Sequence, residues 1–343
     1  MKIKKHLSFT ALIKMISGSF LSWPDPRRKK STLHTIHDAV MSALACMYFQ
    51  EPSLLQFQTE MEKTYHQNNL RTLFGVTTIP SSNAIKEVLD NQDSQQFQPI
   101  YKNIVQRLQR GNQLKQFDLL PGLKICSIDA THYHTSHSIK CKCCLTANKD
   151  SLDKPTRYYH AALQAAIMHP DVKQVIPIGV EPIKNTDGTK KQDCETNAAK
   201  RLIPELRQQF PKMKLIITGD DLFSRQPMIE TVCEHNFEYI FVAKPSSHKF
   251  MMSWIENHSP LNEIQTTDEK GRTVIYQWMN DVTLVKNDQT FKVNFFQKKT
   301  ITLDALGRQK YCRTESWITS IEVNAELVSL LVKGAKTRWK IEN

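Results

Sequence analysis

The sequence predicts an α/β protein in which a mixed sheet follows a helical N-terminal region. Three patterns predict it. Apolar residues recur at helical spacing in residues 1–120, short apolar runs alternate with helical segments in 121–245, and strand-like runs joined by polar turns fill 246–316. Residues 317–343 are predicted to return to the sheet and to end in a helix. A chain of 343 residues is long enough for two or three domains of this kind.

Helices are predicted first, in the N-terminal region. Apolar side chains spaced by three and four residues mark 35–48 and 96–108, and Ser81 or Ser82 suits the N-cap of a helix between them. Residues 1–40 hold eight Lys and Arg against two Asp, with a basic, proline-broken loop at 24–30. A small, basic, helical region is typical of helix-turn-helix-like DNA binding. The alternative is a helical cap that only packs on the rest of the protein.

The charge of the whole chain also favours a polyanionic partner. Its 46 basic and 34 acidic residues give a net charge of +12 and a pI near 9.2. Each Lys or Arg near a phosphate releases condensed counterions, although a merely basic protein is the alternative. No apolar run approaches the ~18 residues that cross a bilayer, so no membrane association is expected. Eight cysteines without secretory targeting indicate reduced thiols and a cytoplasmic protein.

The central part of the chain is predicted to alternate strands and helices. The order is three strands, a helix, a strand, a helix and a strand, in residues 124–128, 161–168, 174–180, 194–210, 214–218, 227–235 and 239–242. Ribonuclease H-like folds use this order. The β-rich insertion at 246–316 has predicted strands at 273–278, 282–285 and 291–297, and one helix is predicted from Asn324 to the end.

Carboxylates follow two of the predicted strands. Asp129 comes directly after 124–128, and the pair Asp220 and Asp221 follows 214–218. An acid at the end of a buried strand is costly unless a cation or hydrogen-bond donors meet it. Aspartate after a strand is also common in turns and helix caps. Two acids at matching strand ends favour convergence on a single site.

A third carboxylate is predicted on the last helix. At 100° per residue, one helix from Asn324 onward brings a stripe of five side chains onto the face that packs on the sheet: Leu327, Leu331, Ala335, Arg338 and Glu342. An Arg and a Glu one turn apart form either a structural ion pair or a metal ligand steered by the Arg. Three carboxylates on two strands and a helix suit two-metal phosphoryl transfer.

The motifs around these acids resemble one family. Arg338 and Glu342 are separated by three residues. The acid contexts are 127–131 (Ser-Ile-Asp-Ala-Thr) and 219–224 (Gly-Asp-Asp-Leu-Phe-Ser), with further matching stretches at 158–160 and 191–195. Together they resemble bacterial insertion-sequence DDE transposases of the group with a Tyr-Arg-Glu-Lys signature around the last acid. The resemblance covers residues 123–343.

The resemblance implies a fold, an activity and partners. It implies a ribonuclease H-like catalytic domain in which Asp129, Asp220 and Glu342 hold two Mg²⁺ (or Mn²⁺) ions, while Arg338 orients Glu342 or contacts phosphate. The family register favours Asp220 over Asp221, because it places the acid three residues before an aromatic residue. The partners implied are double-stranded DNA, as terminal inverted repeats and as target, and a second copy of the chain in a synaptic homodimer. The protein would then associate with the nucleoid.

Two positions depart from the family pattern. Ala335 stands where the signature has Tyr, and the signature Lys would fall beyond the last residue, Asn343. A truncated frame is therefore expected as an alternative, and with it a DNA-binding remnant without activity. A ribonuclease H-like nuclease that lacks strand transfer is a second alternative.

A cysteine and histidine cluster is the other candidate site. Cys141 and Cys144 form a Cys-x-x-Cys pair that also encloses Cys143, and four histidines are nearby: His132, His134, His137 and His160. Thiolates and imidazoles at this density suit tetrahedral Zn²⁺. A thiol-rich loop without metal is the alternative, because no second Cys pair follows at regular spacing. A catalytic Cys–His pair lacks any recognisable local motif.

Overall fold

The computed structural model describes residues 5–25, 27, 32–149, 151–185, 192–258, 260–303 and 308–341. The chain divides into two compact units, Met1–Gln113 and Leu114–Asn343. Helices make up the described elements of the first unit, and the second combines helices with one large mixed sheet. The predicted α/β class is therefore confirmed.

The first unit contains the predicted helices. Its α-helices are α1 (Phe9–Phe20), α2 (Ile36–Tyr48), α3 (Leu54–Met61), α4 (Thr64–Asn69), α5 (Ser82–Asp90) and α6 (Gln98–Arg110), with 3₁₀ turns at Lys5–Leu7 and Ser94–Phe97 and a π turn at Leu70–Phe74. The Thr35 and Ser81 side chains accept hydrogen bonds from the backbone at the starts of α2 and α5. Most of the basic loop predicted at 24–30 lies outside the described residues.

The core of the first unit combines aliphatic side chains with three buried phenylalanines, and one buried acid links α2 to a neighbouring segment. Phe57 and Phe74 are fully enclosed. The Asp38 carboxylate on α2 is 2% exposed and accepts a 2.8 Å hydrogen bond from the Thr77 backbone. A buried carboxylate is stable only with such donors. Asp38 therefore holds α2 against the segment that leads into α5.

The described residues of the second unit form eleven strands. They are β1 (Asp118–Leu120), β2 (Leu123–Ser136), β3 (Leu145–Ala147), β4 (Arg157–His169), β5 (Val172–Ile183), β6 (Lys214–Gly219), β7 (Glu238–Val242), β8 (Asn262–Thr267), β9 (Thr273–Val285), β10 (Asp288–Leu303) and β11 (Gln309–Thr319). The helices are α7 (Glu195–Gln209), α8 (Gln226–Glu234), α9 (Lys249–Glu256) and α10 (Val328–Lys336), with 3₁₀ turns at Leu114–Phe117 and Thr337–Ile341.

The strand order of the sheet is β3-β4-β2-β6-β7-β11-β10-β9-β8, with β1 paired to β2 and β5 paired to β4. The pairs β2–β6 and β6–β7 are parallel, and the other pairs are antiparallel. Parallel strands need long crossovers, which α7 and α8 provide. All of β6 after its first residue is buried, as expected for a parallel strand at the centre of a sheet.

Each strand predicted in the central region lies within an observed strand, but the β-rich segment differs in three respects. It begins with a helix, α9. The runs predicted at 273–278 and 282–285 are one strand, β9, with a register shift and a positive φ of 57° at Asp281. A bulge of this kind bends a strand without ending it. Because it interrupts the apolar pattern, the sequence suggested two strands where the structure has one. The strands β8 to β11 also extend the central sheet, because β11 pairs with β7.

The prediction of one helix from Asn324 to the end is wrong. The α-helix α10 ends at Lys336, and Thr337–Ile341 is a tighter 3₁₀ turn. Tertiary contacts of that turn, described below, override the helical periodicity. Before this turn α10 packs closely on the sheet, because a Cβ built on Gly334 would lie 2.7 Å from a Leu119 methyl group. Glu342 lies outside the described residues.

Candidate active site

Asp129 and Asp220 are neighbours because β2 and β6 are parallel. The last paired residues are Ser127 and Thr218, whose buried hydroxyls are 3.1 Å apart. Two residues beyond this last pair come Asp129 and Asp220, so the two acids lie side by side where the β2–β6 pairing ends. The expectation that Asp129 ends its strand is wrong, since β2 continues to Ser136 along β4. Only its pairing with β6 ends before Asp129.

Each acid has one close donor in its own chain segment, and Asp129 also meets a cation. The Arg338 guanidinium donates to Asp129 Oδ2 at 2.7 Å, and the Ala130 N–H donates to Oδ1. Asp220 Oδ1 accepts from the Leu222 N–H at 2.9 Å. Burial raises the pKa of the Asp220 carboxyl and the charge of Asp129 adds to the rise, while the Leu222 N–H and Arg338 oppose it. Arg338 therefore binds Asp129 and acts electrostatically on Asp220, while the two carboxylates repel each other.

The last described turn is fastened to the sheet at two points. Arg338 holds Asp129 on β2, and Lys340 donates to three carbonyl oxygens in the β4–β5 turn, those of His169, Pro170 and Val172. These contacts explain the change from α-helix to a 3₁₀ turn after Lys336. The structure brings the predicted residues Asp129, Asp220 and Arg338 together.

Asp221, the rival of Asp220, is turned inward. It is 8% exposed, and its carboxylate accepts hydrogen bonds from the Lys244 N–H and the Ser247 hydroxyl. His248 Nε2 lies 2.6 Å from the Ser224 hydroxyl and 3.7 Å from the Asp221 carboxylate. In a hydrolase relay the acid and the serine bind opposite ring nitrogens. Here both contacts go to the same nitrogen of a buried histidine, so the arrangement is structural.

Glu195 is an acid of this site to which the sequence analysis gave no role. It is the first residue of α7. Burial raises the pKa of the Glu195 carboxyl, and the charges of Asp220 and Asp129 raise it further, which places the three acids close enough to interact. On sequence alone, an acid in a first helical turn is explained by the helix dipole. Only the packing of α7 brings Glu195 to the strand ends.

Buried ion pairs fix the start of α7. Arg201 donates to Glu181 on β5 at 2.6 Å and to Asp193 at 2.7 Å. Both acids are buried, and a buried carboxylate without its partner is strongly destabilising. Asp193 comes two residues before Glu195, so this network holds the first turn of α7 in position.

A basic groove of about 320 Å³ opens beside Asp220. Its lining includes four cationic side chains: Lys244, Arg313, Lys336 and Arg338. Glu315 in the same groove binds Lys336 at 2.8 Å and Arg313 at 3.1 Å. The four cations exceed the three acids of the lining, Asp220, Asp221 and Glu315, by one, so the groove suits a phosphate group more than a cationic ligand.

A second candidate site is a cysteine and histidine group, which lies near the start of β4, away from Asp129 and Asp220. The Sγ atoms of Cys141 and Cys144 are 3.6 Å apart, and His160 Nε2 lies 3.3 Å from the first and 3.4 Å from the second. Within the part of the chain that the structure describes, these three residues are the one group of three or more potential ligands that could jointly hold a metal ion. His160 was named among nearby histidines in the sequence, but only the β3–β4 pairing brings it to the cysteines.

The chain matches no protein-family model and no curated protein with which it was compared. None of the helices in the described ranges is long and apolar enough to cross a membrane. The class of protein therefore has to be inferred from the sheet, the acids and the groove.

Proposed function

We propose that this protein is a DNA transposase of the DDE class, which cleaves DNA at transposon ends and transfers the strand into target DNA. The observation that carries the proposal is the pair of acids Asp129 and Asp220, each two residues beyond the last paired residues of adjacent parallel strands, with Arg338 bound to Asp129 and a groove lined by four cationic side chains alongside. Acids at this place in a sheet suit metal-dependent phosphoryl transfer.

The arrangement of the central strands supports a ribonuclease H-like core. Five strands lie in the order β5-β4-β2-β6-β7, of which the first three are antiparallel and β6 and β7 run parallel to β2. Helices α7 and α8 form the crossovers into β6 and β7. The succession of three strands, helix, strand, helix and strand along the chain is the one predicted from the sequence.

The donor set fits Mg²⁺ or Mn²⁺. These hard ions are held by one or two carboxylates together with water and substrate phosphate oxygens, and Asp129 and Asp220 supply carboxylates whose mutual repulsion a cation relieves. Glu342, outside the described residues, is proposed as the third ligand, and Glu195 lies close enough to add negative charge. Two bound ions would supply the activation of the attacking water or 3′-hydroxyl and the charge that stabilises the leaving oxygen.

The basic residues are proposed to position DNA. Arg338 holds the Asp129 carboxylate in one orientation and adds a positive charge to the groove in which a phosphate would bind. Lys244 in the groove acts on Asp220 electrostatically and faces the same space.

The helical first unit is proposed to bind double-stranded terminal repeats, and a second copy of the chain to complete the synaptic complex. The cysteine and histidine group is too soft for Mg²⁺ and is proposed to hold a separate, structural ion.

Cleavage of element-end DNA in Mg²⁺ tests this function. Asp129→Asn and Asp220→Asn are each expected to lower cleavage by a factor of about 10³ or more, because each removes a charge that the ions require. Asp171→Asn, an exposed acid in the β4–β5 turn, is the matched control and should keep wild-type activity.

Either of two outcomes would contradict a transposase function and favour another function. Cleavage without joining of the 3′-end to target DNA would indicate a ribonuclease H-like nuclease. Binding of element-end DNA with no cleavage in Mg²⁺ or Mn²⁺ would indicate a DNA-binding remnant.

A further inference from the structure

We propose that Cys141, Cys144, His160 and His134 form a closed tetrahedral zinc site that fastens three neighbouring strands together. Three of these residues already place their ligand atoms within 4.8 Å of one another. The site lies apart from the acids and does not depend on the function proposed for them.

The distances match a zinc tetrahedron. With Zn–S bonds of about 2.3 Å and a Zn–N bond of about 2.0–2.1 Å, the ligand atoms of a regular tetrahedron lie about 3.8 Å (S to S) and about 3.6 Å (S to N) apart. The corresponding distances here are 3.6 Å for the two sulfurs and 3.3 and 3.4 Å for sulfur to nitrogen. All three distances are shorter than the tetrahedral values. Expansion by a few tenths of an ångström would place these three ligand atoms at three corners of the tetrahedron.

The local backbone suits thiolate ligands. The Cys141 N–H donates to Cys144 Sγ at 3.2 Å, a bond that favours the charged sulfur, and the Cys144 N–H closes the turn onto the Cys141 carbonyl. The Asn185 N–H, just after β5, donates to the Cys143 carbonyl and anchors the middle of the turn. Thiolate and imidazole ligands together select Zn²⁺ over Mg²⁺ or Ca²⁺.

His134 is the fourth ligand because of the strand register. It lies directly opposite His160 in the antiparallel β2–β4 ladder, so both side chains leave the same face, and their ring centroids are 5.8 Å apart. The proposal requires His134 to change rotamer so that an imidazole nitrogen reaches the ion. Cys143 is the rival from the same turn; neither it nor His134 belongs to the group of three, and the strand register favours His134.

The position of the site explains what the ion would do. β3 is a three-residue strand at the edge of the sheet, too short to be stable by its ladder alone. The four ligands join the turn before β3 to β4 and β2, the strand that carries Asp129. Four protein ligands leave no open coordination position, so the ion is structural and not catalytic.

Metal analysis of the reduced full-length protein tests the proposal. One zinc per chain is expected, and Co²⁺ in its place should give the visible absorption of a tetrahedral ion with thiolate-to-metal bands. Cys141→Ser and His160→Ala should remove both. Cys143→Ser, in the same turn, is the matched control and should keep them. The far-UV circular dichroism spectrum of each full-length variant, which reports both its helices and its strands, establishes that the variant is folded.

The fourth ligand has its own test. His134→Ala should weaken zinc binding by about 100-fold or more. Removal of a residue that only hydrogen-bonds a metal ligand already costs up to about 100-fold in metal affinity, and loss of a ligand should cost at least as much. Loss of zinc in Cys143→Ser with retention in His134→Ala would overturn the assignment of His134. A reduced wild-type chain that binds neither Zn²⁺ nor Co²⁺, or one isolated with a Cys141–Cys144 disulfide, would overturn the site itself.

Discussion

At the scale of single residues, the acids at the strand ends are arranged at a cost to stability. Asp220 and Glu195 are half-buried, and each has its pKa raised first by burial and then by the other acids of the site. Arg338 offsets part of this repulsion through Asp129. Groups whose charges repel in the folded protein and are relieved by a cation are typical of functional sites.

The raised pKa values make the stability of the metal-free protein depend on pH. The folded state holds these protons more tightly than the unfolded chain, in which carboxyls titrate near 3.8 and 4.5. The free energy of unfolding should therefore fall as pH rises from those values through the raised pKa of the folded protein. Mg²⁺ should reverse the fall by binding the charged form. Melting temperatures with and without Mg²⁺ across this range measure both effects.

Glu195→Gln isolates the contribution of the third acid. The variant should be more stable than wild type above this pH range, because it removes a charge that the folded state disfavours, and it should gain less from Mg²⁺. Glu234→Gln, an exposed residue on α8, is the matched control and should follow the wild-type curve. An unchanged pH slope in Glu195→Gln would show that the carboxylate does not interact with the site.

At the scale of elements, close packing of α10 on the sheet positions Arg338. Gly334 is the point of closest approach, where a Cβ would lie 2.7 Å from Leu119 and 3.2 Å from Ile125. Both neighbours are buried, so a Cβ at Gly334 requires a side chain to shift within the core. The helix and the turn that follows it depend on this contact.

Two glycine substitutions test that packing. Gly334→Ala should lower the free energy of unfolding by about 1–3 kcal/mol, because overpacking outweighs the better helix propensity of alanine. Gly18→Ala in α1 is the control: no atom lies within 4 Å of the added Cβ, and the change should stabilise by about 0.5–1 kcal/mol. Chemical denaturation measures both. Equal effects of the two substitutions would contradict the packing explanation.

At the scale of the whole molecule, the net charge of +12 should govern association with DNA. A protein that makes 6–10 phosphate contacts loses about 10³–10⁵ in affinity between 50 and 200 mM salt. We expect binding of the full chain to double-stranded DNA to weaken in this steep way. Fluorescence anisotropy over that range measures the slope. Salt-independent binding would argue against a phosphate-contacting surface.

The sequence anticipated the local features well, because each has a local cause. The helical spacing at 35–48, an N-cap at Ser81 or Ser82 and the apolar run of β6 depend on neighbouring residues. Each is found in the structure, with Ser81 as the N-cap. The single helix from Asn324 failed for the opposite reason. Its last turn is shaped by Arg338 and Lys340, whose partners lie far away in the chain.

The sequence by itself determined the succession of strands and helices, the two acids that come after the apolar runs 124–128 and 214–218, and the paired cysteines. The tertiary structure alone decided which acids meet. Arg338 reaches Asp129 across 209 residues, Glu195 arrives through the packing of α7, and His160 meets the cysteines through the β3–β4 ladder. Periodicity encodes which face of an element is buried, whereas partners depend on strand register and helix packing, which form only when distant segments pair.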